Sequence, residues 1–190
     1  GEASTENLIF TAENMGETDL ATSSFGQSFN VTMTQMVSAF SSLINGGYYY
    51  QPHVVKQIQD ENGNVIETND PTLLRKTVSK QTSDRVKEAL RAVMTDGTGV
   101  PANVEGYDIG GKTGTAEKLP RGNGDYLLSF IGYAPQENPE VVIYVVIDEP
   151  NVENQELSSY VLELSQKIMA EAFPYLNITR NGDALPEDSA

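Results

Sequence analysis

Met33, Met36, Val37, Phe40, Leu43 and Ile44 recur at the spacing that sets side chains on one face of a helix. Thr32 and Gln35 stand where a capping box would satisfy the first backbone donors, Val31 and Met36 where a hydrophobic staple would pack. Gly46-Gly47 should end this helix, because glycine takes the left-handed conformation cheaply. A second stripe, Val86, Ala89, Leu90, Val93 and Met94, predicts a helix from about Ser79, its N-cap, to Thr95, broken by Gly97-Thr98-Gly99 and Pro101. Between the helices, Tyr48 to Gln59 is rich in β-formers. Asn62-Gly63 before Val65-Ile66 predicts a surface hairpin with both turn residues at positive φ.

Three strand-like runs follow, Ile109 to Glu117, Tyr126 to Ala134 and Val141 to Asp148, with connections short enough for antiparallel neighbours in one sheet. The last run is apolar from Val141 to Ile147 without alternation, which predicts a strand covered on both faces. Leu157, Val161, Leu164 and Ile168 predict a covering helix that Pro174 ends. Residues 1–24 read as irregular, with Leu8, Ile9, Phe10, Met15 and Leu20 as anchors, and 177–190 as a frayed tail. The expectation is one α/β (α+β) body over 1–176: a sheet of three antiparallel strands, flanking helices and an extra hairpin.

Composition narrows the function. A formal charge of -15, from 27 acidic and 12 basic side chains, would repel phosphate backbones, so nucleic acid is a poor partner. Cysteine is absent, which removes disulfides and thiol chemistry. The longest apolar run falls far short of the roughly 20 residues that span a bilayer. The opening Gly-Glu-Ala-Ser, without an initiator Met or a signal-peptide pattern, reads as an internal cut in a longer protein.

The chemistry concentrates in Gly110-Gly111-Lys112-Thr113-Gly114-Thr115-Ala116, which fits two unrelated uses. Gly106 to Thr113, G-Y-D-I-G-G-K-T, satisfies the phosphate-binding P-loop pattern of NTPases. That loop must follow a buried strand and open a helix, yet its upstream flank is loop-like and Gly114, Pro120, Gly122 and Gly124 stand downstream. The other use is Lys-Thr-Gly, a motif of penicillin-binding proteins and class A β-lactamases. Around it lie Phe25-Gly26-Gln27, the helix with Gly46-Gly47, Gly97-Thr98-Gly99, Ser129-Phe130-Ile131-Gly132-Tyr133-Ala134-Pro135 and Val145-Val146-Ile147-Asp148. In that order and spacing the chain resembles the C-terminal part of the transpeptidase domain of class B penicillin-binding proteins, over roughly residues 25 to 173.

The resemblance implies an incomplete domain of the penicillin-binding and serine β-lactamase type, with no cofactor or metal. Lys112 and Thr115 would be catalytic, and Lys112, Thr113, Gly114 and Thr115 would bind substrate. Lys112 would place an ammonium in the cleft, Thr113 and Thr115 would offer hydroxyls to the substrate carboxylate, and the Thr115 N–H would form half of an oxyanion hole. Gly111 and Gly114 would leave room for backbone and ligand to approach. The implied partners are the D-Ala-D-Ala stem peptide, β-lactams and the missing N-terminal portion of the domain, without which the chain would self-associate. The implied location is the extracytoplasmic face of the bacterial plasma membrane, anchored by an N-terminal segment absent from this chain.

The family's nucleophile sits in Ser-x-x-Lys, and none of the lysines, at 56, 76, 80, 87, 112, 118 and 167, has a serine three residues before it. This chain by itself is therefore expected to be inactive, and a binding module without chemistry stays open beside the enzyme. Ser28-Phe29-Asn30 matches the family's second motif in letters but abuts the capped helix, which marks it as coincidence or a helix-entry turn. His53 has no companions for a triad or a metal set, and Asp148 and Glu149 read as solvated residues at a strand end.

Overall fold

The computed structural model describes residues 9–27 and 29–181. Three strands, β5 (Gly110–Glu117), β6 (Tyr126–Ala134) and β7 (Val141–Asp148), form an antiparallel sheet in the order β5-β6-β7. The register sets Thr113 opposite Phe130 and Phe130 opposite Val145, so alternate residues of all three strands share a face. One face, carrying Leu128, Phe130 and Val145, packs on Val161, Leu162, Met169 and Phe173 of α4 (Ser159–Tyr175). The other face, with Ile131 and Tyr133, packs on Phe40 and Ile44 of α2 (Met33–Ile44) and on Leu90 of α3 (Lys80–Thr95). This explains the unbroken apolar run of β7. Val141, Ile143, Val145 and Ile147 meet the α4 side, whereas Val142 and Tyr144 meet the α2 side.

The helix signals act as read. Gln35 N donates to Thr32 Oγ1 (3.1 Å) and Thr32 N to Gln35 Oε1 (2.9 Å), closing the capping box, and Thr82 N donates to Ser79 Oγ (3.1 Å). The turn after α2 is fixed to α3 by Ser83, whose buried hydroxyl donates to the Leu43 carbonyl (2.7 Å) and accepts from Gly46 N (3.0 Å). Gly47 has φ of 99°, and a Cβ there would lie 2.0 Å from the Val78 carbonyl oxygen. No other residue fits that site.

Several expectations need correction. Within the stretch read as irregular, α1 (Glu17–Ser23) forms, with Asp19 Oδ2 accepting from Gly16 N (3.0 Å) at its start. The stretch carries no apolar stripe to betray it: Ile9, Met15 and Leu20 are exposed, not anchored, and Leu8 lies outside the described residues. The hairpin is longer than expected. An outer ladder pairs β1 (Tyr48–Tyr50) with β4 (Leu73–Lys76), and an inner one pairs β2 (Gln57–Gln59) with β3 (Val65–Thr68). At its tip only Gly63 has positive φ (85°), because Asp60 Oδ1 accepts from both Asn62 N (2.9 Å) and Asn64 N (2.8 Å) and closes a wider loop. Pro174 lies inside α4, which ends one residue later.

The chain beyond α4 turns back onto the body. Ile178 is buried, Asn181 N donates to the Gly106 carbonyl (2.9 Å), and Arg180 Nε donates to Tyr107 Oη (3.2 Å). Residues 177–181 of the expected tail are thus docked, and 182–190 lie outside the described residues. Among the described residues no helix is long and apolar enough to cross a membrane.

Candidate functional site: the rim of β5

Glycines dictate how β5 lies on β6. A Cβ on Gly110 would fall 2.4 Å from the Tyr133 ring, one on Gly111 2.7 Å from Phe130 Cζ, and one on Gly114 2.5 Å from Ser129 Oγ. The space at Gly111 and Gly114, expected to let backbone and ligand approach, is filled by the side chains of β6. These residues let the sheet close, and the accessible surface of the strand lies elsewhere.

That surface is the outer rim. In an antiparallel ladder the N–H and C=O of one residue point to the same side, and the side alternates along the strand. Lys118 N donates inward to the Asp125 carbonyl (2.8 Å), whereas the Thr115 carbonyl is reached from outside by Gln27 Nε2 at 3.5 Å. Even-numbered residues therefore bond β6, and Gly111, Thr113 and Thr115 turn their amides and carbonyls outward. Among the described residues no strand pairs with that side. Gly110 and Gly111 are buried, but Lys112 and Thr115 are exposed, so the open stretch begins at Lys112.

The side chains assemble on the same rim. Lys112 Nζ donates to the outward carbonyl of Thr113 (2.7 Å), which holds the ammonium at the edge. Thr113 Oγ1 lies 2.9 Å from Thr98 Oγ1 of the loop after α3. Beyond Thr115 the rim runs into a cavity of about 540 Å³, lined among others by Phe10, Phe29, Glu117 and Arg121. Lys118 closes this end, its ammonium bonded to both Glu149 and Asp148 Oδ1 across the sheet. Those bonds, to Glu149 and then Asp148, hold its pKa above the usual lysine range. Asp148 and Glu149 are exposed, as expected, and also pair with Lys118 at the far end of β5.

Lys112, Thr113, Gly114 and Thr115 are therefore consecutive residues of one open strand. Neither Thr98 nor Gln27 was singled out for the site from sequence; only a threonine between two glycines, and a glutamine after Phe-Gly, hinted at them. Asn30 lines the cavity, and Ser28 of the Ser-x-Asn match lies outside the described residues. His53 is exposed on the hairpin arm, where its Nδ1 approaches only the Gln51 carbonyl (3.4 Å).

The strand also decides against the P-loop. Gly110 to Glu117 is extended, the segment before it is a loop with a single 3-10 turn, and no helix opens at Lys112. The amides of Gly106 to Thr113 cannot converge on a phosphate as they would at a helix N-terminus.

Comparison with known proteins agrees with the strand reading. The family model described as penicillin binding protein transpeptidase domain matches residues 6–172. The chain belongs to this family. Stage V sporulation protein D of Bacillus subtilis is 35% identical over 175 residues, covering 90% of this chain and 27% of that protein. Penicillin-binding protein PbpB of Mycobacterium tuberculosis is 34% identical over 137 residues, 66% of this chain and 20% of that protein. Among solved structures, penicillin binding protein 3 of Mycobacterium tuberculosis complexed with ampicillin superposes with a TM-score of 0.79 at 27% identity, covering 94% of this chain and 42% of that one. The D,D-transpeptidase domain of a peptidoglycan glycosyltransferase from Eggerthella lenta gives 0.65 at 34% identity, covering 77% of this chain and 33% of that one. The chain thus corresponds to a C-terminal part of a penicillin-binding transpeptidase and spans 27% and 20% of the length of these two curated relatives.

Proposed function

We propose that this chain supplies the substrate-docking strand of a peptidoglycan D,D-transpeptidase at the extracytoplasmic face of the bacterial plasma membrane, where an N-terminal segment outside this sequence anchors it. The observation that carries the reading is the outward turn of the Thr113 and Thr115 backbone on an unpaired strand edge, with the Lys112 ammonium beside it. A donor stem peptide adds to β5 as a further strand. Its terminal carboxylate lies at Lys112 and at the hydroxyls of Thr113 and Thr115. The scissile carbonyl lies at Thr115 N–H, which stabilises the negative charge that develops as the carbon becomes tetrahedral.

The nucleophile is a serine in a preceding portion of the domain, since this sequence has no Ser-x-x-Lys. That serine attacks the penultimate D-Ala carbonyl, terminal D-Ala leaves with the proton, and an amine of a neighbouring stem displaces the serine to form the cross-link. A β-lactam acylates the same serine and stays. The preceding portion also covers Leu20, Phe25 and Met33, exposed here, and without it the chain self-associates through such surface.

Intact-mass measurement with benzylpenicillin separates the roles. The complete protein is expected to gain one stoichiometric adduct and this chain alone none. An adduct on the chain alone contradicts the assignment of the serine; a complete protein that never acylates marks a binding module that keeps the strand without the chemistry.

A further inference from the structure

We propose that Thr98 is a positioning residue for the carboxylate end of the donor peptide, acting through Thr113; this rests on the reading of β5 as the docking strand. Thr98 is exposed, yet its hydroxyl lies 2.9 Å from that of Thr113. A threonine hydroxyl alone is a free rotor with one proton and two lone pairs. For Thr113 to give its proton to a carboxylate, Thr98 must be the donor in the pair. The order is then Thr98 O–H to Thr113 Oγ1, and Thr113 O–H to the carboxylate. Such a chain fixes the Thr113 rotor and polarises its O–H bond towards the anion.

The loop that presents Thr98 is fastened to the end of α3. Gly99 N donates to the Val93 carbonyl (3.0 Å), Ala102 N to the Gly99 carbonyl (2.9 Å) and Asn103 Nδ2 to the Met94 carbonyl (2.7 Å). The flanking glycines are packed tightly: a Cβ on Gly97 would fall 2.8 Å from Val93 Cα, and one on Gly99 2.5 Å from Met94 Sδ. Arg91 of the same helix pairs with Asp108 (2.9 Å), just before β5. Helix, loop and strand thus hold the two hydroxyls in one geometry, and Thr98 needs no contact with substrate to act.

The test compares acylation of the complete transpeptidase by benzylpenicillin and by its methyl ester, which lacks the anionic carboxylate. Thr98→Val is expected to slow acylation by the free acid about tenfold and by the ester less than about twofold, the loss expected for one hydrogen bond tuned to a charged partner. Thr98→Ser, which keeps the hydroxyl, should restore the acid rate. Equal losses for acid and ester, or no loss for either, overturn the proposal. Thr113→Val is the control. If it separates acid from ester and Thr98→Val does not, only the role of Thr98 fails; if neither does, the assignment of the carboxylate to this strand fails as well.

Discussion

Replacing Lys112 with alanine in the complete transpeptidase is expected to lower the acylation efficiency for benzylpenicillin by about 10²–10³-fold, the scale on which a preorganised electrostatic donor contributes to catalysis. The ammonium sits on an exposed rim and, among the described residues, bonds the carbonyl of its own strand, so its removal takes nothing from the core. The melting temperature should stay near that of the parent while the labelling rate collapses. Lys112→Arg should recover only part of the rate, because the proposed role needs a compact ammonium, which a planar guanidinium does not replace. Time-resolved labelling with a fluorescent penicillin reads both variants. A loss of less than about threefold for Lys112→Ala would place the ammonium outside the reaction, on the same scale.

Phe130→Ala should have the largest effect on stability, about 3–5 kcal/mol, the usual cost of deleting a buried phenylalanine. Phe130 has no exposed surface, and it sits at the centre of the middle strand, facing α4. Its ring also fills the space that two glycines leave empty. A Cβ on Gly111 would lie 2.7 Å from Cζ, and one on Gly132 2.7 Å from Cε1. The ring therefore supports β5 from beneath, and its loss opens a cavity directly under that strand. Denaturant titration of the complete domain measures the cost. A change below about 1 kcal/mol would mean that the site collapses freely around the void.

Much of the frame is written in local chemistry. Thr32 and Gln35 close the box that their spacing announces, Ser79 caps α3, and the apolar run of β7 is covered on both faces. These features depend on residues a few positions apart or on one strand's own pattern. What local pattern does not show either lacks a stripe or depends on partners far away in sequence. The α1 helix has no apolar stripe, so its end signals alone could not declare it. The outer ladder of the arm joins Tyr48 to Lys76 across residues of no distinctive pattern.

The candidate site shows the same division. Lys-Thr-Gly and its flanking segments carry the family resemblance, and the extended backbone of Gly110–Glu117 follows from the glycines and proline that forbid a helix. The room at Gly111 and Gly114, expected for backbone and ligand, is taken up by Phe130 and Ser129, since sequence does not say which face a missing Cβ vacates. Thr98 and the Lys118 link to Asp148 and Glu149 join elements 15 and 30 or more residues apart, and no spacing rule connects them.

The most direct test of the docking strand is a crystal structure of the complete domain acylated by benzylpenicillin. The acyl carbonyl oxygen is expected within hydrogen-bonding distance of Thr115 N, and the antibiotic's carboxylate at Thr113 with the Lys112 ammonium alongside. A carbonyl oxygen held by other donors, or the outer edge of β5 already paired along its length with another strand of the same domain, would contradict it.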